Sequence, residues 1–426
     1  MTGGRIPPGP AEPFSSTEDL LDWMSAQFER YGGIYKATID GFSTYVISDP
    51  DDVQHVLRAN WLNYPKGWTI KRVAFLLGNG LMASEGAFWQ SQRQMIQPAF
   101  HRNAVASLFC CIATANAALR ERWTAAAQKR ERVNVTRDVS LMVLEVMLAA
   151  LFGDDSSDVA PRFRFLSEQT ARDLRFAQEF RALRTIVHQV IADRRDRAHG
   201  DPDLLAMLMA ARSRNGDAAM PDSQLVNEVM TLIVAGHETT AGVLNWAWYL
   251  LSRHPSVEER LAQEAAGAVP TLDGLPDFGY TRQVLEEVLR LYPPGWLMTR
   301  RARADDRLGD YLVPAGTEVF ISPYLIQRNP AHWAAPERFD PERFAPDQVK
   351  NRHPLAMLPF AAGPRNCVGE LMARVEMQVH LMTIAAALRL RYDEAAQPAL
   401  DAGVNLRSKH DFVMTPEIKV RAAARP

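Results

Sequence analysis

Cys367 stands alone in the sequence, far from the adjacent pair Cys110 and Cys111. Its neighbourhood reads Phe360-Ala-Ala-Gly363-Pro-Arg365-Asn-Cys367-Val-Gly369. Directly after it, Val368, Leu371, Met372, Val375, Val379 and Met382 recur at helical spacing, which predicts a helix over Val368–Leu388. A helix start carries about half a positive charge and free N–H groups. That setting lowers a thiol pKa and favours thiolate. Gly363 and Gly369 permit tight or left-handed turns that aim amides at the sulfur. Arg365 adds a fixed cation, and Phe360 an apolar cover. Together these residues suit an anionic sulfur ligand beside an anionic cofactor. The bland alternative is a buried structural cysteine. The full pattern recurs by chance in roughly one in ten thousand chains of this length.

Three further constellations carry chemistry. Ala235-Gly236-His237-Glu238-Thr239-Thr240 lies in an apolar stretch over 224–253, a helix about 45 Å long. Glycine and β-branched threonine weaken helix propensity at its centre, where an opened hydrogen-bond ladder admits ligand or water. A carboxylate beside a hydroxyl then forms a proton-delivery pair. The competing account is a polar step in a buried helix, with the hydroxyl bonded back to the i−4 carbonyl. The sequence weighs the two evenly, and His237 reads as a satisfied polar residue. Glu287-Val-Leu-Arg290 is the only Glu-x-x-Arg in the chain and is followed by Phe339-Asp-Pro-Glu-Arg343-Phe344. In isolation such a pair is a solvated helix contact worth ~0.2–0.5 kcal/mol. Trp89-Gln-Ser-Gln-Arg93 places an indole and a guanidinium on one helix face, ordinarily a surface contact.

The Cys367 segment resembles the haem-ligand loop of the cytochrome P450 family, Phe-x-x-Gly-x-Arg-x-Cys-x-Gly, at every specified position. The other three constellations match that family's motifs in order, from about residue 80 to 370. The resemblance implies haem b with Cys367 as the axial thiolate on iron. It implies Glu238 and Thr239 as the proton relay to dioxygen, with Ala235 and Gly236 over the haem and Gly236 making room for oxygen. It implies that Trp89, Arg93, Arg300 and Arg365 face the haem propionates, for which bidentate Arg–carboxylate geometry is suited. Arg301, next to Arg300, competes for that assignment. It implies a buried network of Glu287, Arg290 and Arg343 supporting the Cys367 loop. The resemblance thus predicts a soluble bacterial-type monooxygenase inserting one oxygen atom of O2 into a hydrophobic molecule such as a terpenoid, fatty acid or polyketide.

No Gly-rich dinucleotide fingerprint and no cluster-type cysteine spacing occurs. NAD(P)H is therefore expected to act only indirectly, through a separate ferredoxin and its reductase. Lys350, Arg352 and Arg374 are candidates for a basic ferredoxin-docking face, or form an ordinary solvated rim. Pocket candidates are residues 67–86, Val234, Ala235, Trp296, Leu297, Met298, Phe412 and Val413; the alternative is that these are core. Two other classes stay open: a peroxide-using or isomerising haem-thiolate enzyme, against which the acid–Thr pair counts, and a non-catalytic haem sensor. A zinc or structural-cysteine protein ranks below both.

The elements that must position these residues follow from composition and pattern. The 426 residues carry 48 basic and 50 acidic side chains, a net charge of −2. That balance lacks the basic face of a nucleic-acid binder. With 47% apolar and 23% charged residues the chain is of globular composition. Three cysteines exclude a disulfide scaffold and, lacking C-x-x-C, a Cys-rich zinc site. No run of ~18 apolar residues suggests a membrane span, so a cytoplasmic monomer with free thiols is expected. A Pro-rich leader (1–13) precedes a single haem domain (14–426), mainly α with minor β. Asp40-Gly41 between alternating runs predicts a hairpin of Ile34–Ile39 and Phe42–Ile47. A second hairpin is expected over Tyr311–Ser322. Helices are expected over Glu18–Tyr31 and from Pro50 through Leu57. Residues 197–222 read as a mobile connection and 328–359, with six prolines, as a long irregular segment.

Overall fold

A computed structural model of the chain describes residues 5–15, 17–168, 174–196, 203–212, 219–395 and 397–419. Parts of the expected leader and of the 197–222 connection lie outside these residues. The chain falls into two compact units, each assembled from segments distant in sequence. No linker separates them in sequence because the backbone passes from one to the other repeatedly.

The first unit comprises residues 1–72, 286–367 and 400–409. The hairpin forms as expected, Ile34–Ile39 against Phe42–Ile47. Asp40 and Gly41 both adopt positive φ (49° and 81°), the turn whose twist matches that of the flanking strands. Phe42–Ile47 pairs in parallel with Glu318–Ile321, which pairs antiparallel with Met298–Arg301, completing a four-stranded sheet. The hairpin expected over Tyr311–Ser322 does not form. Tyr311–Val313 pairs instead with Asp306–Leu308, and Glu318–Ile321 joins the four-stranded sheet. Pro314 supplies no amide donor, and Gly316 turns the chain at φ 86°, its N–H reaching Ala302 O.

The helix opened by Pro50 is α-helical only to Gln54, then becomes a π-helix, His55–Ala59, and a 3₁₀ turn, Trp61–Asn63. Tyr45, Ile47, Val56, Leu57, Val319, Ile321, Leu358 and Ala362 form part of one core. Residues 328–359 hold only short helical turns, at Pro341–Phe344, Pro346–Val349 and Pro354–Ala356.

The second unit comprises residues 73–285, 368–399 and 410–426. Its main helices are Arg102–Lys129, Val135–Phe152, Asp222–Arg253 and Glu370–Ala385. The last is shorter than the expected Val368–Leu388, because Gly369 caps its start and Leu388 already begins a strand paired with Val413–Ile418. Averaged over eighteen residues, Arg102–Lys129 is long and apolar enough to cross a membrane, a feature the search for an unbroken apolar run missed. In this unit its Val105, Leu108, Ile112, Leu119 and Trp123 are buried among the helices.

One polar link ties three of these helices. Trp248 Nε1 donates to His380 Nε2 at 2.8 Å, and His380 Nδ1 lies 2.7 Å from Asn116 Oδ1. An indole only donates. Nε2 is therefore the acceptor, and Nδ1 carries the proton that Asn116 accepts. Burial holds His380 neutral, its pKa lowered from 6.5 to about 3. One turn earlier, burial raises Glu376 from 4.5 to about 8. As pH falls from 6.5 toward 3 the unfolded chain protonates at this histidine first, so stability is lost on acidification. Glu376 stays protonated in the fold up to about 8 but ionises near 4.5 when unfolded, so its contribution is lost as pH rises across that range. Urea unfolding across pH should therefore show His380→Gln flattening the acid limb and Glu376→Gln flattening the opposite one.

Candidate functional site

In the first unit, Leu358 and Ala362 anchor the cysteine loop in the core. The Leu358 amide donates to Gln327 Oε1 at 2.7 Å. Ala361 and Gly363 are both left-handed, at φ 59° and 73°. A Cβ on Gly363 would lie 1.9 Å from the Leu57 carbonyl oxygen, so no side chain fits there. The Cys367 amide donates to Phe360 O at 2.9 Å and closes the loop. Cys367 itself is exposed, outside any disulfide, and precedes the Glu370–Ala385 helix in sequence. The Arg365 guanidinium lies 5.9 Å from the Trp61 ring centre. Gly369, in contrast with Gly363, is not left-handed: its φ is −90° and it serves as the helix cap.

Strand alternation separates the two neighbouring arginines. Arg300 is buried and donates to Thr299 O at 2.8 Å, whereas Arg301 is exposed, with Nε 3.8 Å from Glu318 Oε1. Trp296 is a core residue, its indole donating to Gly403 O at 2.9 Å. That corrects its expected place in a pocket wall; Leu297 and Met298 beside it remain half-buried.

Glu287, Arg290 and Arg343 do meet, as a buried network. Arg290 donates to both Glu287 oxygens at 2.6 and 2.7 Å. Its remaining donors reach the carbonyls of Gln327, Pro336 and Arg338. Arg343 Nε lies 3.4 Å from Glu287 Oε1, and the Asp340 amide donates to the same oxygen at 2.9 Å. Burial pushes the Glu287 carboxyl up, against the pull of these donors. Arg352 belongs to this assembly: it donates to Arg343 O at 2.7 Å and stacks 4.0 Å from the Trp333 ring centre. It is therefore not part of an open docking face. Arg374 is paired with Glu370 at 2.9 Å, and Lys350 is exposed.

In the second unit, Asp222–Arg253 is α-helical without interruption. Most of it is buried, but Val234, Ala235, Gly236, Glu238, Thr239 and Gly242 are partly accessible. Positions 235, 239 and 242 lie on one face. The Thr239 hydroxyl donates to Ala235 O at 2.6 Å, the back-bonded arrangement. A Cβ on Gly236 would meet Met147 Cε at 2.1 Å. The glycine thus lets this helix approach Val135–Phe152. His237 is buried, 2.8 Å from Ser140 Oγ, and is a satisfied polar residue as expected. Phe412 is 1% exposed, in an aromatic cluster with Trp246, Tyr249 and Tyr392, so it is core and not pocket. Val413 is half-buried in its strand. Trp89 is buried on the Gly86–Ile96 helix, while Arg93 reaches Gln97 Oε1 at 3.1 Å.

A buried clamp that none of the four motifs contains lies on the same long helix. Glu228 accepts the Leu81 amide at 2.8 Å and the Gln224 amide at 2.6 Å. Arg184 donates to Asn227 Oδ1 at 2.6 Å. Gly78 and Gly80 pack so closely that a Cβ on either would strike Asn227 or Thr231. These contacts hold residues 77–81 against the helix about two to four turns before Thr239. The signal available was a Gln-x-x-x-Glu spacing inside an apolar run.

A family model described as Cytochrome P450 matches residues 14–163 and 154–414. The chain is 32% identical over 396 residues to cyclooctatin synthase of Streptomyces melanosporofaciens, covering 86% of this chain and 84% of that protein. It is 30% identical to pentalenene oxygenase of Streptomyces avermitilis, covering 88% of each. Among solved structures, one described as "Retinoic acid bound cyanobacterial CYP120A1" superposes with a TM-score of 0.87 at 24% identity, covering 98% of this chain and 100% of that one.

Removing one member of the Glu287 network strands buried charge. Glu287→Ala should lower unfolding free energy by about 3–5 kcal/mol in urea titration. Glu228→Ala should leave the global transition little changed but speed hydrogen exchange at the Leu81 amide by roughly tenfold or more, since a hydrogen bond to a carboxylate is lost.

Proposed function

The chain belongs to the cytochrome P450 family, and we propose that it hydroxylates a hydrophobic terpenoid-like molecule, using electrons from a separate ferredoxin and its NAD(P)H-dependent reductase. Members of this family are haem-thiolate monooxygenases that use haem b, O2 and redox partners. The names pentalenene oxygenase and cyclooctat-9-en-7-ol 5-monooxygenase, borne by relatives of this chain, support the terpenoid class. The observation that carries the reading is the exposed Cys367 thiol at the end of a loop closed on Phe360 and seated on Leu57. These residues suit an anionic, iron-bearing group: an exposed thiol outside any disulfide, two residues after Arg365.

Haem b, when bound, supplies the activation of dioxygen. Cys367 would hold its iron, and Phe360, Gly363, Arg365 and the buried Arg300 of the same unit would help to seat it. Glu287, Arg290 and Arg343 hold the irregular segment that leads into the cysteine loop. Thr239 keeps its proton on Ala235 O and turns its lone pairs outward, so as found it accepts a hydrogen bond. Donating a proton requires rotating the hydroxyl and giving up that bond, at a cost of about 0.5–1.5 kcal/mol. Glu238, partly accessible at the adjacent position, is assigned to resupply the proton. Leu297, half-buried in the first unit, is an apolar side chain that suits a hydrophobic substrate.

The reduced, carbon-monoxide-treated protein should show a strongly red-shifted Soret band that Cys367→Ala abolishes. An unshifted band in both proteins would overturn the assignment of Cys367. Thr239→Ala should lower product formed per NAD(P)H consumed by roughly 10²-fold, the scale of a lost general acid. Turnover that needs peroxide and ignores NAD(P)H would favour the peroxide-using alternative.

A further inference from the structure

Behind the cysteine loop lies a feature that neither the motifs nor the assigned roles use. The π-helix His55–Ala59 is an uncommon conformation, frequent at functional sites and weak without outside support. Its support comes from a single carboxylate oxygen. Asp306 Oδ2 lies 2.8 Å from His55 Nε2, 2.9 Å from Asn60 Nδ2 and 2.7 Å from the Tyr64 hydroxyl. His55 opens the π-turn, and Asn60 closes it with its amide on His55 O at 2.8 Å. Tyr64 ends the 3₁₀ turn that follows. The second carboxylate oxygen, Oδ1, accepts the Arg307 amide at 2.8 Å. Burial opposes ionisation of Asp306, but the bonds from His55, Tyr64, the Arg307 amide and Asn60 outweigh it and hold the carboxyl below its ordinary range.

The middle of this π-turn is what the loop rests on. The Leu57 carbonyl occupies the place of a side chain at Gly363. Gly363 is left-handed and four residues before Cys367. Trp61, between the turn and Tyr64, lies under the Arg365 guanidinium. Contacts therefore run without a gap from Asp306 through the π-turn to Gly363 and Arg365, on one side of the thiol.

We propose that Asp306 is a positioning residue for thiolate ligation: by tying both ends of the π-turn it fixes the surface that holds the Cys367 loop in its ligating shape. Loss of this tie leaves the cysteine present but frees the loop to relax away from the ligating position. The proposal rests on the assignment of Cys367 as haem ligand.

The test uses the haem-loaded protein. The ferrous carbon-monoxide complex is held in mild urea, below the unfolding transition, and decay of the red-shifted Soret band is followed together with far-ultraviolet helicity. Asp306→Asn should lose the band about tenfold faster than wild type, as expected for weakening one charge-assisted tie. Tyr64→Phe, which deletes one of the donors, should show a smaller acceleration of the same kind. Asp310→Asn, an exposed acid on the neighbouring turn, should decay as wild type does. In each variant the band should be lost before helicity. Wild-type decay in Asp306→Asn would overturn the proposal, as would band loss that only tracks loss of helicity. If Asp306→Asn fails to fold, Tyr64→Phe alone decides by the same two criteria. A wild-type protein with no red-shifted band would instead remove the Cys367 assignment.

Discussion

Every N–H of the buried Arg290 guanidinium ends on an acceptor: two on Glu287, three on carbonyls of the 327–338 stretch. This bonding is the constraint the first unit depends on. Residues 328–359 have no ladder and no long helix in which to satisfy their backbone. Buried carbonyls without partners are costly, so side chains must supply the donors that regular structure elsewhere provides. Arg290, Arg343 and Gln327 do so. Gln327 closes the set by donating to Leu289 and Arg290 carbonyls while accepting the Leu358 amide. An irregular path becomes a unique one because its polar groups can be met in only one arrangement.

The two units solve the positioning problem differently. In the first, short strands, a π-turn and a side-chain network hold a loop. In the second, long helices bury almost everything and leave one face of Asp222–Arg253 partly open. The cysteine loop has backbone shapes that helices cannot give, such as left-handed residues at 361 and 363 on either side of an extended Ala362. The helix carrying Glu238 and Thr239 is the opposite, an unbroken rod on which side chains keep a fixed spacing.

Much of this was legible in the sequence. Asp40-Gly41 specified its turn because few dipeptides tolerate two positive φ values in succession. The Glu287, Arg290 and Arg343 network was legible only through its resemblance to a known motif, since helical spacing alone cannot tell a buried pair from a solvated one. What misled was context. Tyr311–Ser322 has the alternation of a hairpin, yet its two runs pair with different partners, a choice made by strands elsewhere in the chain. Trp296 and Phe412 are apolar whether they face a substrate or a core, and only the fold assigns them. Asp306 had no signal at all: it gathers residues from positions 55, 60 and 64, and no local pattern encodes that.

Gly236 carries a consequence for how this chain can vary. The helix containing the acid–threonine pair lies against Val135–Phe152 with a methionine methyl where a Cβ would be. Steric volume at 236 and 147 is therefore shared. An alanine at 236 calls for a shorter residue at 147, and such paired exchanges should appear together when relatives are compared. Directed evolution that varies one position while holding the other fixed would discard combinations that this packing permits.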